Sequence, residues 1–288
     1  MRLFNFFIYF MVMMLYTVPL WAHGVVGKRF FPASLVVDDP LPADEMTLVA
    51  PSYTKGHDEK ELSLGFGLQK LLTPNIALSI EGEYLSVNPN QGNREKGFSN
   101  PEIGLTYALI RSPEREFIAS TAMSYEPGGV GSSSVAEELS RIVPAFLFGK
   151  GLGDLPDHLS YLRPLAFTGR VGLSVPIGKS DHHAEESDST PEYGLVIEYS
   201  IPYLQSFVKD VGIPRPFSTM FPIIEFTYGG HHADKGAGFL HPGIIWAGKY
   251  VELGIEANIP VHNKSGEDVG VTGLIHLFLD DIIGLSQR

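Results

Sequence analysis

Apolar side chains occupy every second position over long stretches of this sequence. In residues 61–69 the apolar positions are Leu62, Leu64, Phe66 and Leu68, and small or polar residues lie between them. Residues 76–84 repeat the pattern after a turn-forming Thr-Pro-Asn sequence at 73–75. Successive side chains of a β-strand point to opposite faces, so a period of two predicts strands with one apolar face. A helix would show a period of about 3.6 residues instead.

The same alternation predicts twelve strands, over residues 46–54, 61–72, 76–88, 97–110, 117–126, 142–151, 164–177, 192–206, 219–229, 242–249, 250–261 and 269–280. Several exceed the ~5–6 residues usual in soluble sheets and reach the ~9–11 residues of a tilted membrane-spanning strand. The 31 glycines and 21 prolines suit strands and turns better than a helical bundle. One short helix is predicted, over residues 135–141, within a connection between strands.

The connections between these strands alternate in length and polarity. Four are long and polar, and they cover residues 88–97, 127–141, 179–192 and 229–243. Outer-membrane barrels have short periplasmic turns, long outer loops, an apolar face toward lipid and a polar face toward the lumen. The connections at 152–163 and 207–218 are longer than this rule predicts. We therefore predict an all-β fold, a transmembrane antiparallel β-barrel of about twelve strands. A periplasmic β-sandwich and a lipocalin-like barrel are the alternatives.

Aromatic residues near the predicted strand ends fit the girdle that such barrels place at the membrane surfaces. They are Tyr84, Tyr107, Tyr125, Tyr193, Tyr203, Tyr228, Trp246 and Tyr250. The alternative is the ordinary enrichment of tyrosine in strands.

The first 22 residues have the composition of a secretory signal peptide. Arg2 is their only charge, an apolar run follows, and the small residue Ala22 marks a cleavage site. An uncleaved anchor is the alternative, because the apolar run approaches the ~20 residues that span a bilayer. We divide the chain into this signal peptide (1–22), a periplasmic or plug segment (23–45), the barrel (46–280) and a C-terminal tail (281–288). The predicted location is the outer membrane of a Gram-negative bacterium.

Charge and missing motifs exclude several classes of function. The formal charge is −12, which disfavours nucleic acid as a partner because phosphate binding needs clustered Lys and Arg. Cysteine is absent, so thiolate metal sites and Cys nucleophiles are excluded. There is no G-x-S-x-G, H-E-x-x-H or P-loop sequence. We predict no enzymatic activity and no cofactor, and we expect outer-membrane lipids and a small-molecule solute as the partners.

The polar face of the predicted strands gives an acidic lumen. Its expected lining comprises Glu81, Glu83, Glu102, Glu126, Arg170, Glu198, Glu225, Glu252 and Glu256. Rings of carboxylates favour cations and repel anions in channels. The alternative is that these glutamates pair with Arg170 and with one another through water, which only keeps the interior wet.

Two further groups of residues suggest sites. In the segment 23–45, Lys28 and Arg29 follow a Gly, and we expect them to face the glutamates if the segment folds into the lumen as a plug. A loose periplasmic tether is the alternative. His182, His183, His231 and His232 lie in two predicted outer loops, where they could bind Zn²⁺ or a similar cation. Ordinary solvated acidic loops are the competing interpretation.

The stretch HGVVGKRFFPASLVVDDPLPADE at 23–45 and the sequence HLFLDDI at 276–282 resemble an uncharacterised bacterial outer-membrane β-barrel family. More distantly, the whole chain is similar to the transporter barrels of phenol meta-pathway degradation. The resemblance implies an outer-membrane location and passage of small, hydrophobic or aromatic compounds. It supplies no functional residues.

We therefore predict an outer-membrane channel for passive uptake of small neutral, cationic or hydrophobic solutes through an acidic lumen. The first alternative is a plugged structural or adhesion barrel that acts through its outer loops. The second is an outer-membrane lipid hydrolase, which the predicted strands disfavour because they place no Ser–His pair on the lipid-facing side.

Overall fold

The computed structural model describes residues 24–55, 59–178, 188–229, 237–262, 265–266 and 268–282. Two short strands open the chain, β1 (Val25–Val26) and β2 (Arg29–Phe30). The remaining strands are β3 (Glu45–Lys55), β4 (Glu59–Thr73), β5 (Ile76–Pro89), β6 (Glu95–Phe98), β7 (Glu102–Ser112), β8 (Phe117–Glu126), β9 (Ser140–Gly151), β10 (Leu165–Ile177), β11 (Thr190–Tyr199), β12 (Met220–Tyr228), β13 (Gly238–Ala247), β14 (Val251–Pro260) and β15 (Gly270–Phe278).

Twelve of these strands form a closed antiparallel barrel. Each pairs with its neighbour along the chain from β3 to β15, and β15 then pairs with β3. The short strand β6 adds to the end of β5 and continues the edge that β7 begins. Closure satisfies the backbone of every strand edge, which a bilayer requires. The predicted fold class is therefore confirmed. We call the end of the barrel that holds Glu45 and Phe278 the lower end, and the opposite end the upper end.

The barrel is apolar outside and polar inside. On β4 the side chains of Leu62 and Phe66 are 41% and 46% exposed, whereas Ser63 between them is only 4% exposed. On β11 Tyr193 and Ile197 are exposed and Glu198 is buried. A soluble protein buries its apolar face, so this reversed arrangement suits an exterior in contact with lipid.

Three local predictions were wrong or incomplete. The predicted strand 97–110 is interrupted after Phe98, where Ser99 turns back to donate its backbone N–H to the Glu83 carbonyl at 2.9 Å. The predicted strand 192–206 ends at Tyr199, because the Ser200 hydroxyl caps a short helix by accepting the backbone N–H of Tyr203 at 3.1 Å. Residues 135–139 of the predicted helix form a turn followed by bends, and β9 begins at Ser140.

Short helical segments follow the strands at the lower end. They are α1 (Ile201–Tyr203), the π-helical turn Leu204–Val208 that continues it, and α2 (Leu279–Ile282). Within the described parts of the chain, no helix has the length and apolarity to cross a membrane. The helix α1 turns Tyr203 toward the barrel interior, where it is buried. Tyr203 therefore does not belong to the predicted aromatic girdle, whereas Tyr107, Tyr125, Tyr193 and Tyr250 are exposed.

Candidate functional site in the barrel interior

Residues 24–44, which we call the N-terminal segment, pack against the inner face of the lower half of the barrel. Two buried apolar clusters form there. One joins Val26, Phe31 and Leu41 of the segment to the wall residues Ala108, Ile118 and Ala166. The other joins Val37 to Val196, Phe221, Ile223 and Ile245. These wall residues all lie in the lower halves of their strands. The N-terminal segment is therefore packed into the lower part of the interior, which disfavours the loose tether.

Two buried carboxylates hold the middle of this segment. We call residues 33–39 the central loop. Glu225 on β12 accepts the backbone N–H groups of Leu35, Val36 and Val37 at 2.8, 3.2 and 3.0 Å. Glu252 on β14 accepts the backbone N–H of Ala33 at 3.0 Å. Charge-assisted hydrogen bonds of this kind are stronger than neutral ones.

The beginning of the N-terminal segment is fixed by Arg29. Its Nε lies 3.2 Å from Glu116 Oε2, and it also donates to the carbonyl oxygens of Pro164, at 2.9 Å, and of Arg163. Its guanidinium lies 4.0 Å from the ring centre of Tyr203. The Tyr203 hydroxyl donates to Glu116 Oε1 at 2.8 Å. Burial, reinforced by the Glu116 carboxylate, raises the pKa of Tyr203 to about 12.

The end of the segment is fixed by Asp44. Its carboxylate pairs with Lys70 Nζ at 2.5 Å and accepts the Leu71 backbone N–H at 2.7 Å. Ala43 donates its backbone N–H to the Gln69 side chain at 2.6 Å. The segment is therefore anchored to the wall on both sides of the central loop.

A cavity of about 990 Å³ extends from the upper ends of the strands, where Lys55 and Asp268 line it, past the central loop to Glu45 and His276 near the lower end. The central loop forms part of its lining. Carboxylates line one side, with Glu81 on β5, Glu102 on β7 and Glu126 on β8. In the closed strand order, β12, β13 and β14 lie half the circumference away. The acidic side therefore faces a different part of the wall across the cavity.

A network of hydrogen-bonded polar side chains begins on that opposite side and continues through β15 to β3. His241 on β13 lies 2.9 Å from the Thr227 hydroxyl and 2.9 Å from the Asn258 Oδ1 atom. Asn258 donates to the Thr272 hydroxyl at 2.9 Å, and that hydroxyl lies 2.9 Å from the hydroxyl of Ser52. All five side chains line the cavity. The cavity therefore presents hydroxyl, amide and imidazole groups on one side and carboxylates on the other.

Two acidic residues of the central loop meet this cavity in different ways. Asp38 Oδ2 lies 2.8 Å from the Nε atom of Arg170 on β10. Asp39 lies deeper and accepts the Leu41 backbone N–H at 3.0 Å. Burial raises the pKa of the Asp39 carboxyl well above its ordinary value, and the nearby carboxylates of Glu45, Glu198 and Asp38 raise it further.

The structure divides the predicted lumen residues between two levels. Glu81, Glu83, Glu102, Glu126 and Arg170 line the cavity. Glu198, Glu225, Glu252 and Glu256 are buried in the half of the barrel that the N-terminal segment fills. The sequence pattern identified the inward side but not the level of each residue along the barrel.

The two predicted plug cations do not face the glutamates of the cavity. Lys28 is exposed, and its Nζ lies 5.3 Å from the ring centre of Phe207. Arg29 is directed toward Glu116 at the lower end, although it also lies close enough to Glu198 to interact electrostatically. The expectation that both face the Glu wall was therefore wrong for Lys28 and holds for Arg29 only through Glu198.

The predicted histidine metal site, His182, His183, His231 and His232, lies outside the described residues. Among the residues that the structure does describe, no three His, Asp or Glu side chains are grouped to hold a metal ion. Sequence reasoning missed Asp38 and Glu116. Glu116 sits in a turn with a positive φ of 47°, a conformation that its residue type does not signal.

Comparison with solved structures finds barrels of the outer membrane. An outer-membrane channel from Pseudomonas putida F1 gives a TM-score of 0.58 at 10% identity, over 87% of this chain and 99% of that one. The NanC porin gives 0.48 at 11% identity, over 82% and 99% of the two chains. Outer membrane phospholipase A from Escherichia coli gives 0.43 at 14% identity, over 85% and 94%. No protein-family model matches the chain, and no curated protein matches its sequence. At these identities the channel from Pseudomonas shares the fold alone, and the chain has the fold of an outer-membrane β-barrel.

Proposed function

We propose that the protein is a gated channel of the Gram-negative outer membrane, with its lower end in the periplasm. Small solutes would enter the cavity from the upper end and pass when the central loop moves away from the wall. The observation that carries this proposal is that the central loop lies inside the barrel, is held by buried carboxylates of the wall, and lines a polar cavity that runs along the barrel. The exposed apolar belt of the barrel supports the membrane location.

The central loop, rather than the whole N-terminal segment, is the moving part in this proposal. Arg29 and Asp44 attach the two sides of the segment through several buried contacts each. The loop between them is held by hydrogen bonds to Glu225 and Glu252 and by the Asp38–Arg170 pair. A loop with fixed ends can change conformation at a smaller cost than undocking the entire segment requires.

The charge of the cavity supports passage of cations and neutral solutes. Glu81, Glu83, Glu102 and Glu126 line it, and Arg170 is the basic residue beside the central loop. Carboxylates along a narrow path attract cations and raise the barrier for anions. The proposed mechanism is diffusion, with no covalent step.

A disulfide tether tests this gate directly. A Cβ atom built on Gly194 would lie 3.3 Å from the Cβ of Val37 in the central loop, slightly shorter than the ~3.5–4.5 Å separation of a disulfide, so a small shift of the loop allows the bond to form. The chain contains no cysteine, so the double variant V37C/G194C forms one defined cross-link. Conductance of the purified, folded protein would be recorded in planar bilayers, first oxidised and then after reduction of the same sample.

We expect the oxidised variant to be silent and the reduced variant to conduct with a preference for cations. The two single-cysteine variants are the controls, and they should conduct with or without reductant. Equal conductance of the oxidised and reduced double variant would show that the loop is not the gate. Silence in both states, with a folded barrel shown by heat-modifiable migration on a gel, would favour the structural barrel instead.

A further inference from the structure

Arg170 is the cation of the cavity wall that contacts the central loop. Among the described residues that line the cavity, the other Lys or Arg is Lys55, which lies at the upper rim and pairs with Asp268 at 2.5 Å. Arg170 has two carboxylate neighbours. Glu192 on β11 pairs with its Nη1 at 2.5 Å, and Asp38 of the central loop approaches its Nε at 2.8 Å. The wall and the loop thus share one guanidinium.

The two contacts differ in strength. The Glu192 side chain is 5% exposed, so its pairing with Arg170 is a buried contact within the wall. The Asp38 side chain is 58% exposed. Among the described residues the Arg170 Nε–H makes no hydrogen bond of good geometry, although Asp38 is close. Exposed pairs contribute little stability, whereas a guanidinium binds a well-oriented carboxylate through two parallel hydrogen bonds. A carboxylate from a solute can therefore replace Asp38.

The charged side chains around Arg170 determine which second group such a solute must have. Glu81 is exposed to the cavity and lies close enough to Asp38, Glu102 and Arg170 to interact with them electrostatically. A simple carboxylate that reached Arg170 would be repelled by Glu81 and Glu102. A simple amine would be attracted to those glutamates but would leave the Asp38–Arg170 contact in place. A solute with both a carboxylate and an ammonium group can contact Arg170 and the two glutamates at the same time.

We infer that the cavity binds a small zwitterion, whose carboxylate takes the place of Asp38 on Arg170 and whose ammonium group lies beside Glu81 and Glu102. This inference rests on the proposed function, because Asp38 belongs to the central loop. Binding removes one of the contacts that hold the loop closed, so the solute and the closed loop compete for Arg170. By linkage, whatever weakens the Asp38 contact strengthens solute binding by the same factor.

Three probes of equal chain length test the charge requirement: 4-aminobutyrate, butylamine and butyrate. Their binding to the full-length protein in detergent would be measured by isothermal titration calorimetry at constant ionic strength. We expect 4-aminobutyrate to bind about tenfold more tightly than either single-charge analogue, since a missing charged partner typically costs a factor of this order. Equal affinity for butylamine, equal affinity for butyrate, or no binding of 4-aminobutyrate would each overturn the inference.

The Asp38→Asn variant tests the competition. Removing the loop carboxylate should strengthen 4-aminobutyrate binding by about fivefold, at the low end of usual coupling between linked sites. Asp154→Asn is the matched control, because Asp154 is also a partly exposed Asp that pairs with a basic side chain at 2.8 Å, but it lies outside the cavity. Its affinity should equal that of the wild type. Unchanged or weaker binding in Asp38→Asn would contradict the competition.

The binding measurement does not require conduction. If the protein binds 4-aminobutyrate but never conducts, the zwitterion site stands and the channel proposal is ruled out. If the disulfide tether controls conductance as expected but the protein binds none of the three probes, the channel proposal stands and the zwitterion site is ruled out.

Discussion

Glu225 accepts a hydrogen bond from the backbone N–H of Val37 at 3.0 Å, although 188 residues separate the two along the chain. The same carboxylate accepts the N–H groups of Leu35 and Val36. The wall therefore holds the central loop by its backbone, so that substituting the side chains of the loop leaves these bonds in place. Substituting Glu225 removes them.

We expect Glu225→Gln to open the gate. A glutamine keeps one acceptor oxygen and replaces the other by an NH₂ group, which cannot accept from the N–H groups of the loop. Losing one or two such bonds, at ~1.5 kcal/mol or more each, should raise the open probability in planar bilayers by about tenfold or more.

Glu256→Gln is the control for that variant. Glu256 is a buried carboxyl on the neighbouring part of the wall, and among the described residues neither of its oxygens accepts a hydrogen bond. The same substitution there removes no bond to the loop, so gating should stay at the wild-type level. A similar rise in open probability in both variants would mean that charge, and not the hydrogen bonds of Glu225, controls the gate.

Arg29→Gln should destabilise the barrel strongly. The substitution leaves the Glu116 carboxylate buried without its guanidinium partner and frees the Pro164 carbonyl. Breaking a buried pair from one side costs about 3–5 kcal/mol. The midpoint of thermal unfolding, followed by heat-modifiable migration on a gel, measures this loss.

Lys28→Gln provides the comparison, because Lys28 is the adjacent cation but is exposed to solvent. Its unfolding midpoint should match that of the wild type. Equal destabilisation by the two substitutions would contradict the specific anchoring role of Arg29.

A single methyl group at Gly194 should also loosen the loop. In Gly194→Ala the new Cβ would lie 2.7 Å from Cγ1 of Val37, which is shorter than a van der Waals contact. The backbone of β11 is held by pairing on both sides, so the loop must shift. We expect a higher open probability than in the wild type. Adding Val37→Ala removes the clashing methyl groups and should restore closure, and failure of this rescue would argue against contact at this position.

The gate should open as the pH rises. In the closed state burial raises the pKa of the Asp39 carboxyl, and Glu45, Glu198 and Asp38 add to the effect. The closed state therefore binds this proton more tightly than the open state, in which Asp39 meets water. Closure is favoured at low pH, and the advantage is lost as the pH rises above the ordinary Asp pKa of about 4.

Open probability recorded between pH 4 and pH 8 checks this expectation, with pH steps chosen around the ordinary Asp range. Asp39→Asn retains an oxygen that can accept the Leu41 N–H and removes the titration. Its pH dependence should be flatter than that of the wild type. Identical profiles would assign the response to other carboxyl groups.

The sequence predicted the barrel well because alternation reports directly on which side of a strand faces lipid. β8 (Phe117–Glu126) has the predicted bounds, and the alternating residues Leu62, Ser63 and Phe66 take the predicted sides. The extension of β11 to residue 206 failed for a local reason. Ile201 and Tyr203 continue the alternation, but Ser200 caps a helix and Pro202 lacks the N–H that a strand ladder needs.

The site was harder to predict, because its geometry depends on contacts between distant parts of the chain. The alternation placed Glu225 and Glu81 on the same side of the wall. It could not show that Glu225 binds the central loop, whereas Glu81 faces a cavity. That difference follows from the register of the strands and from the path of the N-terminal segment, and neither has a sequence signature of its own.

The double anchoring of the N-terminal segment also has a consequence for biogenesis. The segment binds β4 through Asp44, β12 through Glu225 and β14 through Glu252, and the seam between β3 and β15 closes the ring around it. Bulky side chains such as Phe30 and Phe31 would have to thread past the turns and helices of the lower mouth to enter a finished ring. We therefore expect the strands of the barrel to assemble around the N-terminal segment, which acts as an internal template. The pairing between β3 and β15 would form last.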